Sequence, residues 1–89
     1  MEITFEKYNN NTHININCKG STAVSDVTMI VDDSDSVHVS VGFKSGDRWG
    51  YSVPANVILA NLSEESVGRF VASVVKPNAT YSCNFKRAS

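Results

Sequence analysis

The sequence predicts a small α+β domain in which an antiparallel sheet of five to six strands carries two helices on one face. Three observations support this fold class. Apolar and polar residues alternate in several short segments, which is typical of half-buried strands. Turn-forming residues separate these segments at intervals that suit hairpins. One later segment has apolar residues at helical spacing, so the predicted order is β-β-β-β-β-α-α-β.

Length and composition favour one domain that acts through its surface. The 89 residues fit a single domain, 1–89, with one thin core, and a deep pocket is not expected at this size. Hydrophobic residues make up 42% of the chain and charged residues 19%, which is ordinary for a folded protein. The formal net charge is −1, whereas nucleic-acid-binding domains usually carry a basic excess.

The first hairpin is predicted from two alternating segments and an Asn-rich turn. Asn tolerates positive φ better than most residues, so Asn9-Asn10 suits a two-residue loop. This loop pairs Phe5 with Ile14 and Ile3 with Ile16. All four apolar side chains then share one face of the sheet, and the register is therefore self-consistent.

The second hairpin turns through the acidic segment 32–36. A five-residue loop pairs Val31 with Val37 and brings the apolar faces of both strands together. The carboxylates of this turn could hold a hard cation, but the spacing is not that of an EF-hand, and Asp is common in turns for backbone reasons. We therefore expect a turn without a metal, whose candidate contacts with a partner are Asp32, Asp33 and Asp35.

The third hairpin is predicted to turn at 45–47, which pairs Phe43 with Trp49. In this register Gly42 and Gly50 lie opposite each other and leave a shallow patch of bare backbone. Such a patch indicates either a strong local twist or a contact point for a partner. The candidate partner-binding residues of this hairpin are Gly42, Lys44, Arg48 and Gly50.

Two helices and a last strand follow. Pro54 is well placed to begin a short helix over 54–61, and Ser63 is the predicted N-cap of a longer helix. The longer helix has apolar residues at i, i+3, i+4, i+7 and i+8, namely Val67, Phe70, Val71, Val74 and Val75. The segment 76–78 ends it. A strand with alternating apolar residues then comprises Tyr81, Cys83 and Phe85.

No residues form a credible catalytic or metal-binding constellation, so we expect neither an enzyme nor a cofactor. His13 and His38 occupy outward strand positions, and nothing in the sequence supplies a nucleophile or an orienting group. Cys18 and Cys83 are expected on the inner face, away from both histidines, which argues against zinc. Two buried thiols are expected in a reducing compartment, and one disulfide joining the chain ends is the alternative.

The chain is expected to be cytoplasmic and to have no membrane partner. No stretch approaches 18 apolar residues, and the first residues lack the basic and apolar regions of a signal peptide.

From about residue 25 to residue 81 an ordered set of motifs resembles the KTSC domain, a small family named for its occurrence at the C-terminus of some lysyl-tRNA synthetases. The matching elements are a strand pair and Gly turn, aromatic residues leading into Val-Pro, Ser-x-Gly-x-aromatic in the second helix, and a final Tyr. They correspond here to Val37–Phe43, Gly46, Trp49, Tyr51, Val53-Pro54, Ser66–Phe70 and Tyr81. The hairpin of residues 1–18 lies outside the resemblance. The resemblance implies the α+β fold and a non-enzymatic module, without implying a ligand.

Two functions follow as hypotheses. The first is a protein-interaction module, by analogy a phage or mobile-element protein that binds and inhibits a host protein or complex, such as a CRISPR effector. The second is an RNA- or DNA-binding accessory domain, suggested by the synthetase connection and by four basic residues expected to face outward. A homodimer is a further hypothesis, because an exposed edge strand can pair with a copy of itself. The four basic residues are Lys44, Arg48, Lys86 and Arg87.

Overall fold

The computed structural model describes residues 1–85 and confirms the predicted α+β fold class. Its sheet has six antiparallel strands in the order of the sequence. The strands are β1 (Ile3–Tyr8), β2 (Asn11–Ile16), β3 (Val24–Val31), β4 (Ser36–Phe43), β5 (Arg48–Pro54) and β6 (Tyr81–Asn84). The helices between β5 and β6 are α1 (Ala55–Ala60), α2 (Val67–Arg69), a π-helical turn (Phe70–Val75) and α3 (Lys76–Asn78).

The registers of the first two hairpins are confirmed. Phe5 lies opposite Ile14, and Asn9 in the connecting turn has a φ of 53°. Val31 lies opposite Val37 across the acidic turn. In both hairpins the loop length and the apolar alternation lead to the same register, because a shift by one residue would turn every apolar side chain to the solvent.

The predicted register of the third hairpin is wrong by two residues. Trp49 lies opposite Val41 rather than Phe43, and the amide of Phe43 donates a hydrogen bond to the Asp47 carbonyl at 2.9 Å. The turn therefore lies one residue earlier than predicted, with Gly46 at a φ of 100°. A shift of two residues preserves the alternation, so the apolar pattern could not distinguish the two registers.

The helices pack on one face of the sheet and form a single core with it. Strand residues that point to this face alternate with outward polar residues, as expected for a sheet covered on one side. Tyr51 is buried and Trp49 half-buried on the same face, so the packing role predicted for this pair is confirmed. The side chains with the least exposure include Ile14, Met29, Val37, Val41, Val53, Ile58, Phe70 and Val75.

The N-cap of the second helical run is Ser66, not Ser63. The Ser66 hydroxyl accepts a hydrogen bond from the amide of Arg69 at 3.3 Å, and Val67 is the first helical residue. Ser63 lies in the turn that follows α1. Both serines precede the apolar run. Glu64 and Glu65 follow Ser63 and favoured the wrong cap, because the helix dipole stabilises acidic residues in the first turn.

A π-helical turn interrupts the second helical run just before a proline. The amide of Lys76 bonds the Val71 carbonyl, which is an i to i−5 hydrogen bond. Pro77 has no amide hydrogen, and its ring would clash with the carbonyl of the preceding turn in a regular α-helix. The wider turn lets the helical run continue through Pro77. The side-chain amide of Asn78 donates a hydrogen bond to the Val74 carbonyl at 2.8 Å.

No helix within residues 1–85 is long and apolar enough to cross a membrane. The two cysteines are not bonded to each other. Cys18 is buried at the end of β2, where burial and the nearby Asp26 carboxylate raise the pKa of its thiol. Cys83 is only half-buried, so the prediction of two buried thiols is correct for Cys18 alone.

Substitution of the N-cap should distinguish the two serines. We expect Ser66→Ala to lower the free energy of unfolding by about 1 kcal/mol, because the Arg69 amide loses its acceptor. Ser63→Ala is the matched control, and its effect should stay within about 0.5 kcal/mol, the range of ordinary surface substitutions. Urea denaturation followed by circular dichroism measures both. An equal loss in the two variants would contradict the assignment of Ser66.

Candidate functional site

The face of the sheet opposite the helices is open in the described part of the chain. Strand pairing arranges its side chains in rows that cross the sheet. One row comprises Glu6, His13, Ile30, His38, Ser52 and Tyr81. Because no described helix or loop packs over these rows, their side chains decide what this surface can bind.

An apolar groove lies on this open face between β3 and β6. Its floor is made of small residues on the two central strands, and its volume is about 230 Å³. The wall contributed by β6 includes Tyr81 and Phe85, whose side chains are 63% and 53% exposed. We call this feature the open-face groove. It is defined by floor residues Ser40, Gly50 and Ser52, by wall residues Thr28, Ile30, Tyr81, Cys83 and Phe85, and by His38 of β4 at one end.

Gly50 is covered by an aromatic ring rather than left bare. A Cβ built on Gly50 would lie 2.6 Å from a ring carbon of Phe85, so only glycine admits the ring in this position. Phe85 continues β6, and its amide donates to the Arg48 carbonyl at 2.8 Å. The glycine therefore serves close packing by a neighbouring strand.

Gly42 lies beneath an ion pair. The Arg48 guanidinium contacts the Asp26 carboxylate at 2.8 Å and donates to the Ser40 hydroxyl at 2.9 Å. A Cβ on Gly42 would lie 2.3 Å from the Asp26 carboxylate oxygen. Gly42 pairs with Arg48 and not with Gly50, so the predicted patch of two facing glycines is wrong.

The acidic turn lies beyond the opposite end of the groove. The Asp32 carboxylate is 3.6 Å from the imidazole of His38. It also accepts hydrogen bonds from the hydroxyl and amide of Ser34, at 2.6 and 2.8 Å. These Ser34 bonds, aided by His38, hold the pKa of Asp32 below its ordinary value. Asp33 and Asp35 are exposed in the same turn.

The predicted cluster of basic residues is not formed by the two members that the structure describes. Lys44 lies exposed in the turn between β4 and β5, where its amide bonds the Ala23 carbonyl at 2.9 Å. Arg48 lies on the open face and is paired with Asp26. Lys86 and Arg87 fall outside the described residues. The candidate contacts are thus divided between the two ends of the groove, with only Gly50 in its floor.

The charges on the open face do not suit a polyanion. Four carboxylates occupy outward positions of β1 to β3 or their ends, whereas Arg48 is the one Lys or Arg at an outward strand position within residues 1–85. Its charge is already paired. Phosphate contacts supply most of the non-specific affinity for nucleic acids. The four carboxylates belong to Glu2, Glu6, Asp26 and Asp32.

The walls of the groove were missed from the sequence because β6 was assigned to the wrong face. Cys83 lies opposite Gly50 and Tyr81 opposite Ser52, which places both side chains outward. Cys83 was expected on the inner face, so the argument that separated it from the histidines does not hold. Within residues 1–85 no three His, Cys, Asp or Glu side chains converge as metal ligands.

The chain matches no protein-family model, no curated protein and no solved structure. The resemblance to the KTSC domain family therefore stays a prediction from the sequence.

The packing of Phe85 on Gly50 has a spectroscopic consequence. Phe85→Ala should shift the Gly50 α-proton signals, because the ring current of the adjacent Phe85 ring is lost. The free energy of unfolding should fall by about 1 kcal/mol, since the half-exposed side chain buries only part of its surface. The control is Leu59→Ala, which truncates a side chain of similar exposure on α1. Unchanged Gly50 signals in Phe85→Ala would contradict this contact.

In the acidic turn, the pKa of Asp32 should depend on the hydroxyl of Ser34. Ser34→Ala removes a hydroxyl donor and should raise the pKa of Asp32 toward its ordinary value, measured by an NMR titration of the carboxyl carbon. Because the pKa of Asp32 is lowered in the folded state, its ionised form stabilises the fold near neutral pH. That contribution is lost as the pH falls through the folded-state pKa. The stability lost on Ser34→Ala should therefore be larger at neutral pH than in acid, where only the hydrogen bonds between Ser34 and the Ser36 backbone still count, with Ser36→Ala as the control.

Proposed function

We propose that the chain is a non-enzymatic protein-interaction module that binds a partner protein through the open-face groove. The observation that carries this proposal is the exposure of Tyr81 and Phe85 beside an apolar groove on the uncovered face of the sheet. Exposed apolar patches with polar rims mark interaction sites in soluble proteins. Aromatic side chains that meet an apolar partner are also the commonest source of binding energy in interfaces.

The groove has a shape that an apolar segment can fill. Its walls stand on β3 and β6, which are three strand spacings apart, or about 14 Å between backbones. The small side chains of Ser40 and Ser52 keep the floor low between them, and the Phe85 ring packs over Gly50. The Arg48–Asp26 ion pair at one end and the His38–Asp32 contact at the other supply polar groups for a rim. A partner segment with a row of apolar side chains meets these requirements.

Nucleic acid is the second candidate, because aromatic side chains on an open sheet face can stack with bases. Tyr81 and Phe85 are suitably exposed for such stacking. The surplus of carboxylates on the same face opposes a phosphate backbone, however, and for this reason we favour protein.

Inhibition of a host factor, such as a CRISPR effector, stays a prediction from the sequence. The groove supports binding by an apolar surface, and this chemistry does not distinguish one host target from another. The identity of the partner is therefore left to the experiment.

The test is an affinity capture from lysate of the source or host cell, read by mass spectrometry and repeated after nuclease treatment. The tagged chain is compared with Tyr81→Ser, Phe85→Ser and Leu59→Ser. Leu59 is 60% exposed on α1, away from the groove, and serves as the matched control. We expect one protein to be retained by the native chain and by Leu59→Ser, with at least about tenfold less on either groove variant.

Two results would contradict the proposal. Equal retention by Tyr81→Ser, Phe85→Ser and the native chain would remove the groove as the binding site. Loss of the captured material after nuclease treatment would favour the nucleic-acid alternative, which further predicts binding that weakens steeply with salt.

A further inference from the structure

The strand β1 presents a free edge. Within residues 1–85 it pairs with β2 on one side only and is the first strand of the sheet, and five of its six residues are exposed. The Glu2 carbonyl accepts from the Asn17 amide at 2.9 Å. Antiparallel strands alternate hydrogen-bonded and non-bonded pairs, so the backbone groups of Ile3, Phe5 and Lys7 point away from β2. These are the groups that a further strand would bond.

Phe5 lies beside this edge on the face that the helices cover. Its partner Ile14 is buried, whereas Phe5 itself is 61% exposed. The helical layer therefore covers Ile3 at the start of β1 but leaves Phe5 exposed. An apolar side chain next to unpaired backbone groups favours the addition of another strand.

We propose that a second copy of the chain pairs with this edge, β1 antiparallel to β1, so that two six-stranded sheets become one. A twofold axis normal to the sheet keeps the helix-covered faces on the same side. In the register that we infer, Phe5 lies opposite Phe5 of the second copy and Ile3 opposite its Lys7. The backbone groups of Ile3, Phe5 and Lys7 in each copy then form hydrogen bonds with those of the same three residues in the other copy.

Charge selects this register. A shift of two residues in one direction places Glu6 opposite Glu6 of the second copy, and the same shift in the other direction places Glu2 opposite Glu6. Like charges directly opposite each other destabilise a sheet. A shift of one residue would instead put apolar side chains on the wrong face. In the inferred register Glu6 lies opposite Thr4 and Glu2 opposite Tyr8, so no carboxylates face each other.

Symmetry also favours pairing of β1 with itself over pairing of β1 with β6. Pairing β1 of one copy with β6 of another would leave free edges at both ends and build an open chain of molecules. The twofold pairing of β1 with itself closes after two copies. The contact is at the opposite edge of the sheet from β6 and is therefore separate from the open-face groove and from the proposed function.

Sedimentation equilibrium over a range of protein concentrations tests the dimer. The native chain should change from the 9.7 kDa of one copy toward twice that mass as its concentration rises. Phe5→Arg, which sets two cations face to face, should stay at 9.7 kDa. Tyr81→Arg, a similarly exposed position on the opposite edge, should behave as the native chain does. A native chain that stays monomeric throughout, or a dimer that survives Phe5→Arg, would overturn the proposal.

Disulfide cross-linking tests the register in a Cys83→Ser background, which removes the half-buried native thiol. Oxidised Phe5→Cys should form a covalent dimer, because residues 5 of the two copies would be about 5.5 Å apart at their Cα atoms. Thr4→Cys should cross-link poorly, because residues 4 are offset by two positions and lie about 7–8 Å apart. More efficient linkage through Thr4→Cys would overturn the register. Phe5 lies outside the open-face groove, so affinity capture with Phe5→Arg tests the proposed function separately from the dimer.

Discussion

All the helical residues between β5 and β6 pack on one side of the sheet, and the rest of the structure depends on this one-sidedness. The apolar side chains of each strand must point to the covered face, and this requirement explains why buried and exposed residues alternate along β2 to β5. The opposite face keeps whatever side chains the strands send outward. Because β6 sends Tyr81 and Cys83 outward, the uncovered face acquires an apolar groove.

The elements that could be predicted from the sequence are those that local constraints determine. A tight Asn turn with matching alternation fixed the pairing of Phe5 with Ile14, and a five-residue loop did the same for Val31 and Val37. The third hairpin shows the limit of this reasoning. Two registers that differ by two residues place the same side chains inward, and the actual turn conformation at Gly46 decides between them.

The groove was beyond the reach of sequence reasoning because β6 comes after the helices. Its pairing with β5 has no short loop to set a register, so the alternation of Tyr81, Cys83 and Phe85 showed a strand without showing its face. The sequence signal that did exist was Gly50, a glycine inside a strand. Glycine is needed at this position because the Phe85 ring packs against it, and this contact exists only in the folded chain.

The two walls of the groove come from β3 and from β6, which are far apart in the chain and meet only across β4 and β5. The two walls come together only when strands β3 to β6 are all paired. A ligand that bridges Ile30 and Tyr81 would thus bind the native state and not a partly folded one, and its binding would raise the stability of the protein by mass action. Strand β6 would gain most, because β5 is its one neighbour in the sheet among the described residues.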